Sequence, residues 1–287
     1  MSSANPILEI INNYDNQLKQ ANIPNGKQEI IWYLEAKKLL KREQLYSKNS
    51  IFSQALNKAI QSYCSLRIQQ IPHQYILNLA SFYGRDFYVD SRVLIPRPET
   101  EQIIEILKKM KLTFNSSLEI GIGSGCIGLT LCLEKIVNSI VGSDISRECL
   151  DVTTINQKKY NVKNCLLIEH NILTTSFSQK FDLIISNPPY ISYTEYCELP
   201  EHIKKFEPKL ALTDFHNGLL FYQRFAKLLP KILAPNGVFI CELGSQNLIS
   251  KIQKLFINEG YSVKLYNDLN NDTRFLGIIP LELQSGY

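Results

Sequence analysis

Four consecutive residues, Asn187-Pro188-Pro189-Tyr190, combine groups suited to one kind of reaction. A carboxamide or aromatic amine is a poor nucleophile because its nitrogen lone pair is delocalised. The peptide C–N rotation barrier of about 18–20 kcal/mol indicates how large that delocalisation is. A site that accepts hydrogen bonds from the N–H groups of such a nitrogen holds its lone pair toward an electrophile such as a methyl group. It also absorbs the positive charge that develops. The side-chain carbonyl of Asn187 is one acceptor and the backbone carbonyl of Pro188 a second. The prolines fix φ and carry no N–H, so the loop is stiff and presents no competing donor. Tyr190 supplies a flat face for a planar group. Asn187, Pro188 and Tyr190 are thus candidate catalytic residues, and Asn187 through Tyr190 a candidate acceptor site. The plainer alternative is a proline-rich turn that closes a strand.

A second motif lies upstream. Leu118-Glu119-Ile120 runs into Gly121-Ile122-Gly123-Ser124-Gly125, and a helical pattern follows. Glycines there permit a tight turn and close approach of backbone to ligand, while the helix N-terminus offers free N–H groups. Asp144, at the end of the next strand-like run, is placed to accept from ribose hydroxyls. Together these form a nucleoside-binding half-site. Gly123-x-Gly125-x-x-Gly128 also satisfies the dinucleotide fingerprint, so NAD and S-adenosylmethionine both fit the spacing. Glu119 leans toward the second, because an acid there suits a cationic, amine-bearing ligand and repels a pyrophosphate.

The elements that must position these motifs fall into two rhythms. Asn5-Pro6 reads as an N-cap with a first-turn proline, followed by Ile7, Ile10, Ile11, Tyr14 and Leu18 at helical spacing. A second helix is expected over 28–46, and a third capped by Ser50 with Phe52, Leu56, Ile60 and Tyr63 on one face. Residues 75–95, with Gly84, suggest a hairpin connector. Beyond it, strands are expected at 117–121, 139–143, 165–169, 181–186, 237–243, 261–266 and 275–279. Helices are expected at 102–111, 126–135, 147–160, 219–233 and 248–258. Apolar strands alternating with helices mean a sheet covered on both faces, and the last two runs suggest an antiparallel edge hairpin. Both motifs end strands of that sheet, so both should face one crevice.

The composition is that of an ordinary globular chain of 287 residues, 45% hydrophobic and 20% charged. No apolar run approaches a membrane span, and the start of the chain does not read as a signal peptide, so a cytoplasmic protein is expected. Of 31 Lys and Arg and 27 Asp and Glu, residues 1–75 hold 9 and 5, which places the whole basic excess there. That segment is expected to dock a protein substrate or to serve as a scaffold bundle, with nucleic-acid contact, directly or through a partner on RNA, as a weaker reading. The seven cysteines form no CxxC pair and read as buried free thiols, and the four histidines show no metal-ligand spacing.

GIGSG, Asp144 and NPPY together resemble the class I S-adenosylmethionine-dependent amino-methyltransferases. Val93-Leu94-Ile95-Pro96-Arg97-Pro98-Glu99-Thr100-Glu101 narrows this to the bacterial peptide chain release factor glutamine N5-methyltransferases, and residues 206–212 and Cys241-Glu242-Leu243-Gly244 agree. The resemblance implies a Rossmann-like α/β sheet, mostly parallel with an antiparallel edge, plus a small N-terminal helical domain. The expected boundaries are 1–74 (helical, substrate-docking), 75–97 (connector) and 98–287 (methyltransferase). It implies that Gly121, Ile122, Gly123, Ser124, Gly125, Asp144 and Ile172 hold S-adenosyl-L-methionine, with Asn187 near the sulfonium and S-adenosyl-L-homocysteine as product. Asn187, Pro188, Pro189 and Tyr190 would hold the amide of the glutamine in the Gly-Gly-Gln loop of class 1 release factors. No metal, membrane or direct nucleic-acid contact is implied. Arg97 and Glu99 would lie at the mouth of the site, or else form a salt-linked connector. Two departures from the family are the pair Asn171-Ile172, where an acid and a bulky residue are usual, and a glycine-poor segment after Leu212. Ribosomal-protein glutamine methylation, adenine-N6 methylation of nucleic acid and a non-catalytic nucleoside-binding module are the rival readings.

Overall fold

A computed structural model describes residues 5–47 and 53–280. The chain divides into two compact units between Leu79 and Ala80.

The first unit contains α1 (Pro6–Gln20), α2 (Gly26–Ala36), α3 (Gln54–Ile68) and α4 (His73–Leu77). Asn5 caps α1 as expected, its side-chain oxygen accepting from the N–H groups of Ile7 and Leu8 at 2.9 and 3.2 Å. The apolar stripes Ile7, Ile11, Leu18, Ile30, Leu34, Leu56, Ile60 and Tyr63 form one core. The second helix stops at Ala36, ten residues short of expectation. Lys38 turns into the left-handed region (φ 57°), and the chain doubles back to bury Leu40 and Leu45 under the bundle. Burial of those two leucines outweighs continued helix in a run with no glycine to end it. The observed cap of α3 is Ser53, whose Oγ accepts from Leu56 N–H at 3.1 Å. Ser50 and Phe52 lie outside the described residues.

The second unit opens with a hairpin, β1 (Ala80–Phe82) and β2 (Arg85–Phe87). Its turn residues Tyr83 and Gly84 both have positive φ, the geometry that matches strand twist. A 3-10 turn (Pro98–Glu101) leads into α5 (Gln102–Lys109). Then follow β3 (Ser117–Ile120), α6 (Cys126–Leu133), β4 (Ile140–Asp144), α7 (Arg147–Lys159), β5 (Cys165–Glu169) and β6 (Phe181–Ser186). Three short helices come next: α8 (Tyr193–Glu198), α9 (Glu201–Phe206) and α10 (Lys209–Leu212). The chain continues through α11 (Leu220–Ile232), β7 (Leu233–Glu242), α12 (Ile249–Asn258), β8 (Val263–Asn267) and β9 (Thr273–Ile278).

The seven main strands order as β5-β4-β3-β6-β7-β9-β8, parallel from β5 to β7 and antiparallel at β9. Leu183, Ile185, Val238 and Ile240 face α5, α6 and the hairpin phenylalanines, while Leu118, Ile184 and Phe239 face α11 and α12. The period-two alternation seen in the sequence is thus the division between two apolar layers. Strand order reverses at β3, which pairs β4 on one side and β6 on the other, and a crevice opens at the carboxyl ends there. Two buried serines close the ladder at that crest. Ser143 Oγ donates to the Glu119 carbonyl (3.0 Å) and Ser186 Oγ to the Ile120 carbonyl (2.8 Å).

Candidate active site

The glycine turn leaves β3 at the crest. Gly121, Gly123 and Gly125 have φ of 77°, 55° and 79°, a region that side-chain-bearing residues avoid. The N–H groups of Gly121 and Ile122 donate back to the Ser143 carbonyl, at 2.8 and 3.0 Å. Asp144 accepts from Gly123 N–H on one carboxylate oxygen and from Ser146 N–H on the other, both at 3.0 Å. A carboxylate has about four lone-pair sites, so capacity remains for ribose hydroxyls. Burial pushes the Asp144 carboxyl up, and the surrounding backbone amides oppose that shift. A Cβ on Gly123 would meet nothing, so this glycine faces open space. A Cβ on Gly125 would strike Thr153 and Leu129, so this glycine packs the turn inward and is not among the wall residues. Helix α6 begins without a side-chain cap.

A cavity of about 390 Å³ lies over the turn, lined in part by Gly121, Ile122, Gly123, Ser124, Asp144 and Ile172. Asn187, Pro188 and Pro189 line it as well, so one cavity joins both motifs. Glu119 is 1% exposed and also contributes to its wall. Its Oε2 has no hydrogen-bond partner among the described residues, and desolvation pushes its carboxyl well up. Gly128 makes room for that carboxyl, because a Cβ there would overlap Oε2.

The acceptor lip is held by side chains. Asn187 Nδ2 donates to Thr100 Oγ1 (3.3 Å), Thr100 Oγ1 donates to Glu242 Oε2 (2.6 Å), and Tyr190 OH donates to Glu242 Oε1 (3.3 Å). Glu242 is 1% exposed, and burial pushes its carboxyl up to about 7. Neither Asn187 Oδ1 nor the Pro188 carbonyl accepts a hydrogen bond from another described residue, and both residues line the cavity. Tyr190 packs its ring on Gly244 and lines a smaller adjoining cavity of about 120 Å³ with Asn187 and Arg97.

Arg97 reaches both cavities, and its guanidinium grips Glu207 at 2.7 and 2.8 Å. Both carboxylate oxygens are engaged, and Glu207 Oε2 also accepts from Ile95 N–H at 3.4 Å. Arg97 is thus salt-linked within the second unit and lines both cavities as well. Glu99 is not among the wall residues; its neighbour Thr100 is. The three short helices α8–α10 were not expected from the sequence. Lys209 there lies over the rings of Tyr196, Tyr193 and Phe215, 4.8–5.1 Å from their centroids. Asp214 organises the glycine-poor segment by accepting from His216 and Leu220 N–H groups at 2.8 and 3.1 Å. Among the described residues, no group of three or more His, Cys, Asp or Glu could hold a metal ion, and no helix is long and apolar enough to cross a membrane.

Thr100, Glu207 and Glu242 are the residues that motif reading missed as site members. The signal was available for Glu242, an acid ending an apolar strand beside the acceptor strand.

The profile of the Methyltransferase small domain family matches residues 98–199. Over 98% of its length, the chain is 33% identical to a bifunctional methyltransferase of Rickettsia prowazekii, of which it spans 58%. A solved methyltransferase from Pyrococcus furiosus superposes with a TM-score of 0.53 at 20% identity, covering 76% of this chain and 98% of that one. That likeness agrees with the mostly parallel, Rossmann-like methyltransferase sheet. A release factor glutamine methyltransferase of Chlorobaculum tepidum is 35% identical, with 76% of this chain covering 78% of that relative. With the glycine turn and the Asn-Pro-Pro-Tyr lip on one crest, the chain belongs to the release factor glutamine methyltransferase family.

Proposed function

We propose that this chain transfers a methyl group from S-adenosyl-L-methionine to the side-chain amide nitrogen of the glutamine in the Gly-Gly-Gln motif of class 1 release factors. One observation carries the reading: Asn187 and Pro188, whose Oδ1 and carbonyl oxygens have no donor among the described residues, line the same cavity as the glycine turn. The residues on the donor side suit the nucleoside. Gly123 faces open space, Asp144 has acceptor sites to spare, and Glu119 presents a buried oxygen without a partner. A cationic ligand beside Glu119 would draw its carboxyl toward the ionised form. When bound, the donor supplies an electrophilic methyl on a sulfonium.

Asn187 and Pro188 accept the two amide N–H groups and so aim the nitrogen lone pair. A bound donor would supply the methyl group and keep the electron pair of the broken S–C bond on its sulfur, and the nitrogen held by Asn187 and Pro188 would release one N–H proton to solvent. Methylation makes that nitrogen acidic, so no dedicated base is required. Holding the reacting atoms in line can contribute about 7–11 kcal/mol. The side chain of Tyr190 stays neutral, its phenol pushed up by burial and by Glu242.

The decisive experiment is mass spectrometry of release factor incubated with enzyme and cofactor. A methyl group on the Gly-Gly-Gln glutamine supports the reading; methylation confined to a ribosomal protein or to adenine replaces it. The lip would serve an adenine amine equally well, but residues 76–287 carry 22 basic and 22 acidic side chains, without the excess expected of a nucleic-acid face.

A further inference from the structure

The Asn187 amide has two orientations related by a half-turn, and only one presents oxygen to the acceptor. Geometry alone does not choose between them, since oxygen and nitrogen have nearly the same size. The choice is made by the direction of proton donation in the chain that ends on Asn187.

We propose that Thr100 and Glu242 are positioning residues for methyl transfer: they orient the Asn187 amide so that Oδ1 faces the acceptor nitrogen. The proposal rests on the methyl-transfer reading above. Thr100 has one hydroxyl hydrogen. Ionised Glu242 has no proton to give, so that hydrogen goes to Glu242 Oε2, at 2.6 Å. The remaining lone pairs of Thr100 then accept from Asn187, which forces Nδ2 toward Thr100, at 3.3 Å. Oδ1, on the other limb of the amide, is left for the cavity that Asn187 lines. Thr100 and Glu242 are 2% and 1% exposed, so no water competes for these bonds in bulk.

Protonation of Glu242 reverses the chain. The carboxylic acid can donate to Thr100, whose hydrogen is then free for Asn187, and this stabilises the opposite amide orientation. A lip with Nδ2 outward opposes donors with a donor. The groups facing Glu242 come from several elements. Tyr190 reaches Oε1 from the lip, Arg274 acts from β9, Glu99 acts from the 3-10 turn, and the Tyr222 hydroxyl of α11 donates to the Glu242 backbone carbonyl at 2.9 Å. Cys241 precedes it on β7 as a fully buried thiol. Burial raises the Glu242 carboxyl to about 7, while Thr100, Arg274 and Tyr190 pull it down. The competent lip therefore fills in as pH rises through neutrality.

The test uses the full chain with release factor and cofactor, measuring kcat, KM and cofactor affinity across about pH 5.5 to 8.5. Thr100→Val keeps the shape and removes the hydroxyl; kcat is expected to fall by about 30-fold with cofactor affinity unchanged. Thr100→Ser restores the hydroxyl and should recover kcat to within about threefold of the parent. The parent kcat should climb through pH 7. Glu242→Gln, whose amide oxygen still accepts from Thr100 but does not titrate, should be flat there. Parental kcat in Thr100→Val, or the same climbing limb in Glu242→Gln, overturns the relay. Should Thr100→Val fail to fold, the Glu242→Gln profile decides alone. A parent chain that methylates no glutamine overturns the underlying reading instead, so the two failures are distinct.

Discussion

The two halves of the crevice, the glycine turn proposed for the donor and the Asn-Pro-Pro-Tyr lip proposed for the acceptor, are built by different means. Three left-handed glycines, strand-end carbonyls and amide bonds to Asp144 shape the donor half from backbone. The acceptor half depends on side chains from three segments far apart in sequence: Thr100, Asn187 with Tyr190, and Glu242. Each half contains a carboxyl that is 1% exposed, and the two differ in company. Glu242 accepts two hydrogen bonds from side chains, whereas Oε2 of Glu119 has no partner among the described residues. A half shaped mostly by backbone tolerates change in most side chains around it, with Asp144 the exception. A side-chain relay is broken at any link.

The largest effect should come from Asn187→Ala, which removes one of the two acceptors. Methyl transfer, followed by mass spectrometry, is expected to fall by about a thousandfold while calorimetric cofactor affinity changes little. A variant with parental turnover would place the chemistry elsewhere. On the donor side, Asp144→Ala loses both turn bonds and the ribose acceptor. Cofactor Kd should rise by about 50-fold, with kcat at saturating cofactor within about threefold of the parent. If kcat falls as far as affinity, the halves are not separable in this way.

Next comes the ion pair at the mouth. Arg97→Met leaves a nearly buried Glu207 carboxylate unpaired, with its side chain 4% exposed. Tm is expected to drop by about 8 °C, and Arg97→Met combined with Glu207→Gln should regain most of it. Should KM for release factor stay high in the double variant, Arg97 also meets the substrate. The smallest effect is expected from Glu119→Gln. The folded-state carboxyl titrates well above its unfolded value, so folding retains the proton and wild-type stability falls as pH rises past about 4.3. Without cofactor, the variant should therefore gain about 5 °C over the parent near pH 8 and almost nothing near pH 4, read by thermal melts. An equal gain at both would mean that packing, and not charge, decides.

The same contrast explains what could be read from the chain alone. Strands ending in Gly121 and Asn187 were legible because continuous apolar runs stop abruptly at turn-forming residues. The antiparallel edge was legible from two close runs with no helix between them. Glycines and prolines act locally, so the backbone half and the stiffness of the lip were visible as motifs. Thr100 and Glu242 act only through contacts formed after folding, so the segments that hold them could be singled out while their link to Asn187 could not. Periodicity carries the second helix past Ala36 because the burial of Leu40 and Leu45 is a tertiary gain invisible to it. Helices α8 to α10 escaped because runs of four to six residues have too few turns for a stripe.

The hydroxyl of Ser186, bonded to the Ile120 carbonyl, pins β6 to β3 one residue before each motif begins. Sliding one strand by a single residue would displace Asn187 by about 3.3 Å and turn it to the opposite side of the sheet. The glycine turn and the lip are thus gauged against each other by strand pairing. An insertion within residues 181–186 would consequently be a lesion of chemistry as much as of folding.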